Sequence, residues 1–192
     1  MSLSTLARVF QQRKATPDQL QELFSDTTHC HLILNDKEEV TPKVRGEFVD
    51  FLRNEYLSQN GYTLYNDYGK IVNKNFHYSG SSRADVRAVK FDPEDPSNMD
   101  IYVETCKFKS SKAVGVGSSE IEGAANEARK LIRQLGASSA RVHLGIVASD
   151  MGVTSGLDKW YSSTRQDFEN LQPISVYGPD DINKWFKNLA VH

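Results

Sequence analysis

A regularly spaced helix pattern followed at once by an apolar strand pattern is the feature that most constrains the fold of this chain. Seven apolar or small residues between Ile121 and Leu135 recur at steps of three and one, the spacing of one face of an α-helix. Gly136 ends this pattern, and residues 142–148 then form a nearly continuous apolar run, which is typical of a buried strand. A helix that leads directly into a buried strand indicates an α/β fold.

The patterns on either side extend this layout. Thr41-Pro42 predicts the start of a helix that ends at Gly61, and three strands are expected after it, over residues 62–65, 83–91 and 101–108. Beyond residue 148 we expect a helix, a short strand and a terminal helix, over residues 157–171, 174–177 and 180–189. The predicted order is helix, three strands, helix, strand, helix, strand, helix, which favours a mixed sheet with helices on both faces.

The first 40 residues predict a small helical appendage to a main domain over residues 41–192. Four apolar residues between Leu3 and Phe10 have helical spacing, and Thr16-Pro17-Asp18-Gln19 predicts the N-terminus of a second helix. A short strand is expected over residues 30–34. A helical pair of this size cannot bury a core alone. We therefore expect it to pack on the main domain, or to bind a partner protein or a second copy of the chain.

Charge and composition exclude several classes of protein. The chain has 192 residues, with 23 Lys or Arg against 25 Asp or Glu, so any nucleic-acid surface must be a local patch. No apolar stretch approaches the roughly 18 residues of a membrane span, and the N-terminus lacks the apolar run of a secretory signal. Cys30 and Cys106 are too few for a disulfide framework or a four-cysteine zinc site. We expect a cytoplasmic protein with reduced thiols and no membrane partner.

Three charged residues on adjacent predicted strands form a candidate catalytic set. Asp85 lies on the second strand, and Glu104 and Lys107 lie on the third. Phosphodiester hydrolysis needs oxygen ligands that hold Mg²⁺ and a positive group that positions the attacking water, and two acids and a lysine supply that minimum. An acid on one strand, followed by an acid and a lysine on the next strand between two helices, resembles the PD-(D/E)xK nuclease superfamily.

The downstream sequence resembles more specifically the catalytic domain of Mrr-type restriction endonucleases. The corresponding segments are the strand Val-Glu-Thr-Cys-Lys that ends at Lys107, the small residues at 123–125, the apolar run at 143–149, and residues 174–182. This resemblance covers most of the chain and implies a restriction-endonuclease-like fold and an endonuclease that cleaves duplex or branched DNA with Mg²⁺ or Mn²⁺. It assigns the metal to Asp85 and Glu104 and the attacking water to Lys107.

Glu47 completes the candidate set and has two interpretations. In related nucleases a glutamate on the helix before the sheet reaches the metal-bound water, and Glu47 lies in the first turns of the matching helix. Alternatively, it is an acid near a helix N-terminus that interacts favourably with the helix dipole.

The spacing of Glu104 and Lys107 departs from the family pattern. The two residues are three apart, whereas side chains on a strand share a face at steps of two. Either a β-bulge brings Glu104 beside Lys107, or Thr105 takes the acid position and the site is weakened. Because an unpaired buried glutamate is costly, we expect the bulge or another functional placement. The alternative function is a catalytically decayed nuclease-fold module that binds nucleic acid or assembles into a larger complex.

Overall fold

The computed structural model describes residues 2–5, 16–36, 38–66, 70–71, 84–95, 97–107, 118–148 and 156–190. Its helices are α1 (Pro17–Phe24), α2 (Thr28–Asn35), α3 (Pro42–Gln59), α4 (Ser118–Leu135), α5 (Gly156–Thr164) and α6 (Pro179–Ala190). Its strands are β1 (Thr63–Leu64), β2 (Val86–Phe91), β3 (Met99–Lys107), β4 (Arg141–Ala148) and β5 (Ser175–Tyr177).

The five strands form one mixed sheet in the order β1-β2-β3-β4-β5. The pairs β1–β2 and β2–β3 are antiparallel, and the pairs β3–β4 and β4–β5 are parallel. Each parallel connection contains a helix, as parallel neighbours require. The predicted α/β class, with a mixed sheet between helices, is confirmed.

Local sequence signals explain where the two long helices begin and end. The Thr41 hydroxyl accepts a hydrogen bond from the Val44 backbone N–H, with Pro42 at the first helical position, so α3 begins where the sequence predicts. Gly61 and Gly136 follow α3 and α4 with φ values of 84° and 63°. This left-handed conformation favours glycine and ends a helix.

The sheet separates two apolar layers. Helices α4 and α5 cover one face, where Ile101 and Val103 of β3 pack with Ile121 and Ala125 of α4. On the other face, α3 lies against β1, β2 and β3, and α6 packs on α3 and beside β5. Helices α1 and α2 pack into the same layer. The buried members of that layer include Leu23, Cys30, Ile33, Val44, Phe48, Val147, Ile182 and Phe186. The N-terminal helices therefore share a core with α3 and α6.

Residues 30–34, expected as a strand, lie inside helix α2, so that prediction is wrong. The Asp26 carboxylate accepts a hydrogen bond from the Thr28 backbone N–H at the start of the helix. Cys30 and Ile33 then lie one turn apart and are both buried in the layer formed with α3 and α6. Tertiary packing overrides the strand preference of a short apolar run.

The helix expected over residues 157–171 ends early. Helix α5 stops at Thr164 and is followed by a 3₁₀ turn over Arg165–Asp167. Phe168 then adopts an extended backbone, and Leu171 forms an isolated parallel bridge with Val142 of β4. The apolar residues of this segment reach the core from an extended chain.

None of the helices in the described parts of the chain combines the length and the apolar character that crossing a membrane requires.

Candidate active site

Asp85 lies immediately before β2, where the strand pairing is irregular. Val86 is the residue paired with Glu104, yet the backbone N–H of Asp85 also donates to the Glu104 carbonyl, at 2.9 Å. Two successive residues therefore oppose one residue of β3, as in a β-bulge. The Asp85 carboxylate turns toward the end of β3, where its Oδ2 accepts a hydrogen bond from the Cys106 backbone N–H at 2.6 Å.

Helix α3 brings further acids to the same place. Glu47, Asp50 and Asn54 are spaced at i, i+3 and i+7 and so lie along one side of the helix. A carboxylate oxygen of Asp50, one of Asp85 and the Cys106 sulfur all lie within 4.8 Å of one another. Glu47 precedes Asp50 by one turn, and its Oε2 and the Oδ1 of Asp50 are buried. Asp50 is not part of the motif predicted from the sequence, although a row of polar residues on a helix that also buries apolar residues was a usable signal.

The chemistry of this cluster favours oxygen ligands. Burial, together with the neighbouring Asp50 and Asp85 carboxylates, raises the pKa of the Cys106 thiol well above its ordinary value. The thiol stays protonated at neutral pH and forms a hydrogen bond with the Asp50 side chain. The two carboxylates supply oxygen ligands, which suit a hard cation such as Mg²⁺.

Glu104 has a different partner. It is buried, at 1% exposure, and its carboxylate accepts two hydrogen bonds from Arg53 of α3: Nε to Oε2 at 2.8 Å and Nη2 to Oε1 at 2.7 Å. The guanidinium also lies over the rings of Trp185 and Tyr177, at 4.3 and 4.7 Å from their centroids. Although burial alone would lower the pKa of Arg53, the Glu104 carboxylate raises it, so the guanidinium stays charged.

The expected bulge in β3 is absent from the paired register. Met99 to Glu104 face β2 one for one, and Asp100 to Lys107 face β4 one for one. Strict alternation therefore directs Glu104 and Cys106 to the α3 side of the sheet and Lys107 to the other side. The expectation that a bulge places Glu104 beside Lys107 is wrong, because the irregular residue belongs to the opposite strand.

Lys107 is the last residue of β3 and is half-buried. Thr105, two residues before it, is buried, and its hydroxyl donates to Asp85 Oδ2 at 3.3 Å. Thr105 thus occupies the place, two residues before the lysine, that an acid takes in the family pattern. The structure brings Asp85 together with Asp50, Cys106 and Thr105, and it brings Glu104 together with Arg53.

No protein-family model matches the chain, and no curated protein matches it.

Proposed function

We propose that this protein is a metal-dependent nuclease of restriction-endonuclease-like fold that hydrolyses DNA phosphodiester bonds. The observation that carries the proposal is the approach of the Asp50 and Asp85 carboxylates, which meet within 4.8 Å where β2 begins and β3 ends. Two carboxylates at this separation are an oxygen-rich pair of the kind that Mg²⁺ or Mn²⁺ binds. The α/β layout and the resemblance to Mrr-type catalytic domains support the fold and the substrate.

The proposed metal ligands differ from the pair that the resemblance implies. Asp50 takes the place of Glu104, because both oxygens of Glu104 bind Arg53. The bound cation would polarise a phosphate oxygen and promote deprotonation of a water molecule. The chain contributes the rest, beginning with the Cys106 N–H, which orients Asp85. In this proposal the attacking water is positioned by Lys107, the last residue of β3, whose side chain leaves the opposite face of the sheet and reaches the cation past the end of the strand. Glu47, one turn from Asp50, orients that water from the helix side.

A second candidate function is a nuclease-fold module that binds nucleic acid or assembles into a complex without catalysis. The observation that favours it is the closed Arg53–Glu104 ion pair, since it removes the acid of the family motif from the site. Thr105 in the position two residues before Lys107 lacks the charge to hold a metal. This module would keep the fold and lose the metal response.

The test is cleavage of plasmid and branched DNA with Mg²⁺, together with the Mg²⁺-dependent rise in melting temperature. Asp85→Asn and Asp50→Asn should each lose the thermal response, and Lys107→Ala should keep it while lowering the cleavage rate about a hundredfold or more. Asp158→Asn and Lys159→Ala, at exposed positions of α5, are the matched controls and should behave as wild type.

The outcomes separate the two functions. Cleavage that is lost in Asp85→Asn and in Lys107→Ala but kept in both controls supports the nuclease. The nuclease proposal is wrong, and the non-catalytic module is favoured, if the wild-type protein cleaves neither plasmid nor branched DNA and its melting temperature does not change with millimolar Mg²⁺.

A further inference from the structure

We propose that Asn54 is a positioning residue of the candidate site, and that its side-chain amide sets the place of Asp85 relative to helix α3. The inference rests on the proposed function for its metal readout, and on the geometry of the described residues for everything else. The Asn54 side chain donates to backbone carbonyl groups rather than to the carboxylates. It acts on the backbone of both acids.

The Asn54 amide joins the two acids of the site through their carbonyl groups. Its Nδ2 donates to the Asp50 carbonyl at 2.8 Å, within the helix, and to the Asp85 carbonyl at 3.3 Å, across to the sheet. These two residues are the ones whose carboxylates meet within 4.8 Å. One nitrogen therefore links the helix and the strand at the level of the candidate metal ligands.

Asn54 is buried, and burying a polar amide costs free energy that close packing by itself would not justify. The residue is 2% exposed, on a helix whose buried neighbours include Phe51 and Leu57. A buried amide must satisfy its donors or lose stability, so an apolar residue would be the simpler choice at such a position. The bond within the helix uses one N–H, and the Asp85 carbonyl accepts the other.

Asp85 needs such an anchor because it lies outside the regular strand. Pairing of β2 with β3 begins at Val86, and Asp85 is held to β3 by its own N–H and by the Cys106 N–H. These contacts, with the one from the Thr105 hydroxyl, fix Asp85 to the sheet, and none of them reaches α3. The hydrogen bond from Asn54 connects Asp85 to α3, and it thereby holds the Asp85 carboxylate opposite that of Asp50.

The decisive variant is Asn54→Ser. A serine hydroxyl can donate to the carbonyl four residues earlier in its own helix, so the bond to Asp50 can survive, but the shorter side chain cannot reach the Asp85 carbonyl. Ile182→Val is the matched control, because it removes one methyl group from a fully buried site in α6 and lowers stability without touching Asp85 or Asp50. The full chain is used throughout.

Two measurements are made on wild type and both variants. The first is the Mg²⁺ concentration at the midpoint of the thermal-stability response, and the second is amide hydrogen exchange at the Asp85 and Cys106 N–H groups by NMR. We expect Asn54→Ser to raise the Mg²⁺ midpoint about five- to tenfold and to speed exchange at both amides by a similar factor, the range of one lost hydrogen bond. Ile182→Val should lower the melting temperature, leave the Mg²⁺ midpoint at its wild-type value, and speed exchange at Asp85 and Cys106 no more than at the other amides of β3.

A purely structural role predicts that Asn54→Ser resembles Ile182→Val in both readouts, and that result overturns the proposal. A wild type without any Mg²⁺ response removes the metal site of the proposed function instead. In that case hydrogen exchange alone tests the positioning role of Asn54. Faster exchange at the Asp85 and Cys106 amides in Asn54→Ser supports the role, and unchanged exchange contradicts it.

Discussion

Arg53 of α3 and Glu104 of β3 form a buried ion pair with two parallel hydrogen bonds of 2.8 and 2.7 Å, although 51 residues separate them in the chain. The pair joins a helix to the central strand of the sheet. Tyr177 and Trp185, from β5 and α6, stack against its guanidinium. Four elements therefore meet at one charge pair.

Breaking this pair from one side should be costly. Glu104→Gln leaves the Arg53 charge buried with a neutral partner, and we expect a loss of about 3–5 kcal/mol in the free energy of unfolding. The double variant Arg53→Met/Glu104→Met removes both charges and should recover most of that loss. Urea unfolding of the single and double variants measures the coupling. A Glu104→Gln protein that is as stable as wild type but has lost its Mg²⁺ response would instead place Glu104 at the metal.

Gly145 of β4 should be irreplaceable because of its position against this pair. A Cβ atom at Gly145 would lie 2.9 Å from Glu104 Cγ and 3.2 Å from Tyr177 Cε2. Gly145→Ala should therefore lower stability by about 1–3 kcal/mol, the range of overpacked cores.

Gly46→Ala is the matched control for Gly145→Ala. A Cβ at Gly46 of α3 meets nothing within 4 Å, so this substitution should raise stability by roughly 0.5–1 kcal/mol through helix propensity. Thermal unfolding of both variants is the measurement. The account of the Gly145 contact fails if the two alanine variants shift the melting temperature in the same direction.

Asp100 should contribute to the loss of stability in acid. Hydrogen bonds from Arg141, with further help from His143, lower the pKa of Asp100 below 3.8 despite partial burial. The unfolded chain therefore binds a proton at higher pH than the folded chain, so the contribution is present above about pH 4 and declines as the pH falls below it.

Asp100→Asn should reduce stability at pH 7 and flatten its decline between about pH 4 and pH 2. Arg141→Gln should flatten the same region, and the double variant should add little to either single change. Chemical unfolding across this pH range is the measurement. A double variant whose effects simply add would show that Arg141 is not the cause of the shift.

Both cysteines should be unreactive in the folded protein. Burial raises the pKa of Cys30 to about 12 and that of Cys106 well above its ordinary range. Since the thiolate is the nucleophile, alkylation by iodoacetamide at pH 8 should be at least about a hundredfold slower than in urea-unfolded protein. Mass spectrometry of timed samples counts the labels. Labelling of native Cys106 at the unfolded rate would contradict its enclosure by Asp50 and Asp85.

Local patterns in the sequence determined most of the layered architecture. The spacing of apolar residues in α4 and the apolar run of β4 indicated a helix that leads into a buried strand, because each pattern depends only on near neighbours. The Thr41-Pro42 cap and Gly136 marked helix ends for the same reason. The α/β class and the order of the elements from α3 onward followed from these signals alone.

Only the tertiary structure decided the partners of the charged residues. Asp85, Glu104 and Glu47 could be recognised as candidates, but the alternation of β3 turned Glu104 toward Arg53, and an irregular residue at the start of β2 turned Asp85 toward Asp50. Pairing across dozens of residues depends on strand register and helix placement, which one chain segment does not encode. Residues 30–34 became helical for the same reason, since their buried face is set by α3 and α6 rather than by their own propensity.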